Sequence, residues 1–275
     1  MKSFLVATDF SATSREAALY AANLAKLFGA EITLLHAYLL PTPVSEVPYM
    51  MISVEELQKD NEKLAAELAS SLSLQTGVTV NTLVNIGMPA DEIVYQSREI
   101  GADLIFLGMR GENTGIDKFI GSTTAAVIRK SHIPVLVIPA GNTFSAISNI
   151  TYATDYSYTM NSRCLKTMST LMKKNPAARL HVVNIQRPGE IMTAEQVSGK
   201  VWLEPTLEEL SHEYHTIENS SVEAGLETFL TKTTSQMLVM VAHKHSWWER
   251  LFSGSHTREM VYKAHIPLLV LQDKD

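Results

Sequence analysis

Cysteine is almost absent from this sequence: Cys164 is the only one among 275 residues, which excludes an internal disulfide bond. A chain with so little cysteine is typical of a reducing compartment such as the cytosol. Long hydrophobic runs are missing too, and none approaches the roughly 18 apolar residues that a membrane-spanning helix needs. The first apolar run is cut short by Asp9, too early for a secretory signal peptide. The sequence therefore predicts a cytoplasmic protein.

Positive charge is also scarce. Lys and Arg number 23 against 29 Asp and Glu, which gives a net charge of −6 and a pI near 5.9. This balance argues against a surface that coats nucleic acid. The hydrophobic content of 45% and the charged content of 19% are ordinary for a soluble globular protein, and the length allows two domains.

The chain repeats itself. FLVATDFS near the start is echoed by ITYATDYS from residue 150, and HIPVLVIPA from residue 132 is echoed by HIPLLVLQD from residue 265. A repeat of this length indicates two copies of a domain rather than a solenoid. We predict domains at residues 1–140 and 148–275, joined by the segment GNTFSAIS.

Strand-like and helix-like segments alternate within each copy. In the first copy the predicted strands are 4–8, 31–38, 78–84, 103–108 and 133–139. Unbroken apolar strands separated by amphipathic helices favour a parallel sheet covered on both faces. The predicted fold is α/β, with two tandem five-stranded doubly wound domains. In the second copy Gly199 and Pro205 interrupt the second helical region, which predicts a shorter or broken helix.

A glycine-rich segment, GMRGENTGIDKFIGST (108–123), directly follows a predicted strand. In parallel α/β sheets, ligands bind beyond the carboxyl ends of the strands, where Asp9 and Ala37 are also expected. Glycines let backbone N–H groups approach a phosphate, and Ser122 and Thr123 open a helix whose positive end favours an anion. The alternative is a simple turn, since the segment is neither a P-loop nor a dinucleotide fingerprint.

The spacing of this segment carries a family resemblance. Gly108, two residues, Gly111, nine residues and then Gly121-Ser122-Thr123 resembles the G-2x-G-9x-G-[ST] nucleotide motif of universal stress proteins. VATDFS, LLHAY, GMPADEI and HIPVLVIP resemble other segments of that family, and both halves are covered. The chain is thus similar to a tandem universal stress protein.

The resemblance implies an ATP site in the first copy, usually with Mg²⁺ or Mn²⁺. The implied nucleotide-binding residues are Thr8, Asp9, Ala37, Leu107, Gly108, Arg110, Gly111, Gly121, Ser122 and Thr123. Asp9 would contact the adenosine, and Ala37 would present its backbone to the adenine. The segment from Leu107 to Gly111 would line the ribose and phosphates, and Gly121 to Thr123 would hold the phosphates. Arg110 is equally compatible with a solvated surface charge.

The second copy departs from the motif. Ala242 replaces Gly108, His245 replaces Gly111 and His256 replaces Thr123, and Trp247 and Trp248 enter the loop. Asp155 is retained, but Asn184 stands where His36 does in the first copy. The expectation is a degenerate site that does not bind ATP.

Two further residue groups suggest chemistry. His243, His245 and His256 raise a zinc hypothesis, although local packing beside the tryptophans is the favoured interpretation. Cys164 lies in a helix-like run and is expected to be a small buried hydrophobe rather than a nucleophile.

Three functions stay open at this stage. The leading one is an ATP-binding regulatory protein of the stress response, which passes its nucleotide state to protein partners. The alternatives are a slow ATPase or autophosphorylating enzyme, and a scaffold that needs no nucleotide. No catalytic residue is assigned, because no base is recognisable beside the loop.

The last strands of the two copies, IPVLVIP and IPLLVLQ, are nearly identical and apolar. An unpaired edge strand is normally covered. We expect these two edges to pair antiparallel as an intramolecular pseudo-dimer. The alternative is a homodimer of tandem chains.

Overall fold

The structure is a computed structural model that describes residues 1–40, 53–109, 121–156, 164–242 and 265–273. Strands and helices alternate along it. The strands are β1 (Ser3–Ala7), β2 (Glu31–Tyr38), β3 (Val80–Ile86), β4 (Leu104–Met109), β5 (Val135–Pro139), β6 (Asn149–Ala153), β7 (Arg179–Gln186), β8 (His212–Glu218), β9 (Met237–Ala242) and β10 (Leu268–Gln272). The described helices are α1 (Ala12–Phe28), α2 (Val54–Thr76), α3 (Pro89–Glu99), α4 (Ser122–Lys130), α5 (Lys166–Met172), α6 (Ala194–Leu207) and α7 (Val222–Lys232).

All ten strands form one sheet, in the order β3-β2-β1-β4-β5-β10-β9-β6-β7-β8. Every neighbouring pair is parallel except β5 and β10, which pair antiparallel. Each half therefore has a doubly wound order, and the two halves meet edge to edge at a seam. The predicted antiparallel pairing of the two last strands is confirmed.

Helices cover both faces of the sheet. Buried residues of α1, α2, α5 and α6 share one hydrophobic cluster, and those of α3, α4 and α7 share a second. Strand residues alternate between the two clusters, as the period of a strand requires. At the seam, the facing pair Leu136 and Leu269 belongs to the first cluster, and the facing pair Val135 and Val270 belongs to the second. Both cores thus run across the seam without a break.

The two seam strands begin later than predicted. The sequence predicts a start at the Ile-Pro pair, but β5 and β10 start after Pro134 and Pro267. Proline has no N–H to give to a strand ladder. Its carbonyl can still accept a hydrogen bond from the neighbouring strand. The carbonyl of Pro134 accepts from the N–H of Ile105, and that of Pro267 accepts from the N–H of Leu238.

The second helical region of the second half is shorter than its counterpart but not broken. Helix α6 has 14 residues against 23 in α2 and runs through both Gly199 and Pro205. A Cβ at Gly199 would clash with the carbonyl oxygen of Tyr156. Glycine is therefore needed here for close packing, and it does not end the helix. Of the two predicted outcomes, a shorter or a broken helix, the structure has the shorter one.

The segment between the halves is anchored to both of them. The N–H of Gly141 donates to the Glu16 carboxylate at 2.7 Å, and the Asn142 side-chain amide donates to the His265 carbonyl at 2.8 Å. Cys164 is buried, which raises the pKa of its thiol and suits the predicted hydrophobic role. Within the described ranges, no helix has both the length and the apolar character needed to cross a bilayer.

Candidate functional site

The crevice of the first half lies at the switch point of its sheet. Strand β1 is flanked by β2 on one side and β4 on the other, so the connections leave it in opposite directions. A pocket of about 170 Å³ opens at the carboxyl ends of these strands. This is the place where doubly wound folds bind ligands.

Six of the predicted site residues line this pocket: Thr8, Asp9, Ala37, Leu107, Gly108 and Thr123. Gly121 and Ser122 are the two residues before Thr123, at the start of α4. Arg110 and Gly111 lie outside the described residues. The structure therefore brings the ends of β1, β2, β4 and the start of α4 to one crevice, as the sequence predicted, while the individual roles stay predictions.

The chain makes a tight turn directly after β1. Thr8 is buried, and its hydroxyl accepts a hydrogen bond from the N–H of Phe10 at 3.0 Å. Phe10 has a φ of 62°, a left-handed conformation that is uncommon for a bulky residue. The second half repeats this turn, with Tyr156 at a φ of 56° and its N–H donating to Thr154 at 3.1 Å. Since both halves keep the strained turn, it belongs to the fold and does not depend on an intact glycine motif.

The turn holds the carboxylate of Asp9 at the pocket wall. Ser11 donates to one Asp9 oxygen through its backbone N–H at 3.1 Å and through its hydroxyl at 2.5 Å. Partial burial tends to raise the pKa of Asp9, but hydrogen bonds from Ser11 and Ser14 outweigh it and lower the pKa below its ordinary value. Asp9 is therefore ionised at neutral pH and acts as a hydrogen-bond acceptor.

Gly108 permits a close approach between β4 and α1. A Cβ at this position would lie 3.0 Å from the carbonyl oxygen of Thr13 and 3.2 Å from the Cα of Ser14. These are backbone atoms, which cannot rotate away. The glycine is thus required for packing against the first turn of α1, whatever the crevice binds.

The start of α4 differs from the start of α1. In α1 the side chain of Ser11 accepts a hydrogen bond from the N–H of Ser14 and so caps the helix. In α4 the capping position is Gly121, and no side chain caps the first turn within the described residues. Thr123 and Thr124 from that turn line the pocket. Helix N–H groups that have no side-chain partner are suited to hold an anion.

His36 and Asn184 make the same contact in the two halves. His36 Nδ1 lies 2.8 Å from the carbonyl oxygen of Thr8, and the side-chain amide of Asn184 donates to the carbonyl of Thr154 at 2.9 Å. A carbonyl only accepts, so His36 carries its proton on Nδ1. The residue differs between the halves, but the hydrogen bond to the backbone carbonyl is the same. The replacement of His36 by Asn184 therefore does not by itself indicate that the second half has lost its nucleotide site.

Exchanging residues between the halves tests this equivalence. We expect His36→Leu to lower the free energy of unfolding by about 1–3 kcal/mol, because the carbonyl of the buried Thr8 loses its partner. His36→Asn should lose less, since asparagine restores the contact as in the second half. Urea denaturation of both variants measures the difference. A leucine variant at least as stable as the asparagine variant would contradict the assignment.

Eight further lining residues were not among the predicted site residues, and Thr13, Ser14, Pro89 and Ile93 are four of them. Thr13 and Ser14 come from the first turn of α1, and Pro89 and Ile93 come from α3. A signal existed for the first two, because they follow Asp9 at the start of a predicted helix. The loop of the second half, with His243, His245 and His256, lies outside the described residues.

The fold and the crevice define a class of doubly wound α/β proteins with an acidic turn and a glycine-capped helix at the switch point. The model of the universal stress protein family matches residues 1–139 and again 147–272. The chain belongs to the universal stress protein family and carries two copies of its domain.

Named relatives agree with this assignment. The chain is 35% identical over 145 residues to universal stress protein MJ0531 of Methanocaldococcus jannaschii, covering 50% of this chain and 81% of that protein. It is 26% identical over 301 residues to universal stress protein Slr1230 of Synechocystis, covering 99% of this chain and 100% of that protein. The crystal structure of a universal stress protein from Archaeoglobus fulgidus matches with a TM-score of 0.78 at 17% identity and covers 99% of this chain and 98% of that chain. That likeness shows the tandem fold.

Proposed function

We propose that this protein is an ATP-binding regulator of the stress response and that it binds one nucleotide in its first half, residues 1–140. The observation that carries the proposal is the crevice at the end of β1 and β4, where Asp9 and the uncapped start of α4 share one pocket. Membership of the universal stress protein family supports the stress-related role.

The pocket offers opposite chemistry at its two sides. The ionised carboxylate of Asp9 accepts hydrogen bonds and suits the hydroxyl groups of a ribose. The first turn of α4, with Thr123 and Thr124, offers N–H and hydroxyl donors and the positive end of a helix, which suit phosphate oxygens. A nucleotide presents both kinds of group, hydroxyls on its ribose and oxygens on its phosphates. Mg²⁺ or Mn²⁺ would reduce the charge of the phosphates.

The same pocket offers little for catalysis. Asp9 is the one ionisable side chain among the described residues that line it. An efficient general base has a pKa near the working pH, whereas hydrogen bonds keep the pKa of Asp9 low. We therefore favour binding and signalling over hydrolysis as the role of the site.

Calorimetric titration of the full chain with ATP, ADP and AMP, followed by a hydrolysis assay with Mg²⁺ or Mn²⁺, tests the proposal. We expect one ATP per chain and turnover well below the roughly 1–10³ per second of ordinary enzymes. Binding of two ATP molecules per chain would show that the second half also binds ATP. Turnover within the enzyme range would replace the regulator with an ATPase, and no binding would favour a scaffold.

A further inference from the structure

A second cluster of polar side chains lies in the other half, away from the nucleotide crevice. His181 projects from β7, and Glu213 and His215 project from the neighbouring strand β8. The strand register places His181 opposite Glu213, with His215 two residues further along the same face. One potential ligand atom from each residue lies within 4.8 Å of the other two.

The two imidazoles face each other through nitrogen atoms. His181 Nδ1 and His215 Nε2 are 3.1 Å apart and share a hydrogen bond. Two nitrogens bound to one tetrahedral zinc ion at 2.0–2.1 Å lie about 3.3 Å apart. The separation of the two nitrogens would therefore need to change by only a few tenths of an ångström for both to bind one ion.

The carboxylate of Glu213 is positioned by a neighbour. Its Oε1 accepts from the Arg179 guanidinium at 3.0 Å, while its Oε2 lies 3.8 Å from His215 Nε2. The side chain is 50% exposed and has room to turn toward the histidines. Arg179 thus orients the carboxylate from outside, in the way that partners beyond the direct ligands commonly do in metal sites.

Neighbouring residues hold the two imidazole rings in place. The ring of Phe229 from α7 packs against both imidazoles, with centroids 5.9 Å from His181 and 4.8 Å from His215. His181 is buried, whereas Glu213 reaches solvent, which leaves an entry path for an ion.

We propose that His181, Glu213 and His215 form a binding site for a divalent transition-metal ion such as Zn²⁺. Two imidazole nitrogens and one carboxylate oxygen favour Zn²⁺ over Mg²⁺ and Ca²⁺, which prefer oxygen ligands. Three protein ligands leave a fourth position for water or an incoming group. The ion would also tie β8, the last strand of the sheet, to β7.

The test uses the full, tag-free chain, stripped of metal and titrated with Zn²⁺ in competition with a fluorescent chelator. We expect His215→Gln and the more exposed Glu213→Gln to weaken one Zn²⁺ equivalent at least tenfold, since even the loss of outer partners commonly costs about 10–100-fold. Co²⁺ should give a visible absorption band that both variants lose. Zn²⁺ should raise the unfolding temperature of the parent chain more than that of either variant.

Two control variants give the experiment its specificity. His212 lies on the same strand but points to the other face, where it contacts the Leu210 carbonyl. His212→Gln should leave the binding unchanged, as should the combined replacement of His243, His245 and His256 by glutamine. The proposal is overturned if the combined replacement of His243, His245 and His256 abolishes binding of one Zn²⁺ per chain while His215→Gln retains it. It is also overturned if the parent chain does not compete with the chelator, or if Mg²⁺ competes as well as Zn²⁺.

Discussion

Replacing Gly121 with valine is expected to weaken ATP binding at least about 100-fold while the fold persists. A branched side chain at the start of α4 would keep the phosphates away from the N–H groups of its first turn. Loss of two charge-assisted hydrogen bonds, each about 1.5 kcal/mol, corresponds to about that factor. No heavy atom of the described residues lies within 4 Å of a Cβ at Gly121, and its φ of −57° suits any residue. We therefore expect a stability change of only about 1 kcal/mol, measured by urea denaturation beside the titration.

Two other glycines provide matched controls. At Gly108 an added Cβ would lie 3.0 Å from the backbone of Thr13, so Gly108→Val should also destabilise the fold by about 1–3 kcal/mol. Gly254 occupies the position equivalent to Gly121 in the second half by sequence, and Gly254→Val should leave ATP binding intact. If Gly254→Val removed binding and Gly121→Val did not, the nucleotide site would belong to the second half.

Residues 1–143 expressed alone are expected to self-associate. In the full chain β5 is covered by β10, and Val135, Leu136 and Val137 are at most 1% exposed. Removing the second half exposes this strand together with the edges of both hydrophobic cores. Two copies of the fragment would restore the antiparallel contact about a twofold axis. Analytical ultracentrifugation over a concentration series should show dimers or larger aggregates.

The other half of the chain serves as the specific competitor. Adding residues 144–275 should convert the self-associated fragment into a one-to-one complex, because β10 is the natural partner of β5. A first half that stays folded and strictly monomeric at high concentration would show that this edge needs no cover. The seam would then be a connection between independent domains and not a requirement for folding.

Element types and several boundaries follow directly from the sequence pattern. β2 matches the predicted residues at both ends, and α4 starts at Ser122 as predicted, because apolar runs and a helix start after glycine are local signals. The crevice was also predictable, since the carboxyl ends of parallel strands share one edge of a sheet. The pairing of β5 with β10 followed from two similar apolar strands that each needed cover.

Other features depend on contacts that a linear pattern does not contain. The sequence predicts that Gly199 interrupts a helix, whereas the structure shows that Gly199 makes room for the Tyr156 carbonyl. In the sequence Asn184 differs from His36, but in the structure each side chain binds the equivalent backbone carbonyl of its own half. Alternation in SHEYHTI places Glu213 and His215 on one face, but His181 joins them only through the register of β7 and β8. Long-range register is therefore the information that sequence periodicity lacks.

The antiparallel seam also has an evolutionary consequence. Because the strands of the two halves run in opposite directions, the carboxyl ends of their parallel strands lie at opposite edges of one sheet. In a symmetric pair of identical chains, every substitution appears in both crevices at once. Two copies on one chain remove that coupling, so the first copy can keep its glycine motif while the second carries Ala242, His245 and His256. A tandem chain thus gives a single gene product the asymmetry of a heterodimer, with a fixed ratio of one intact glycine motif to one altered motif.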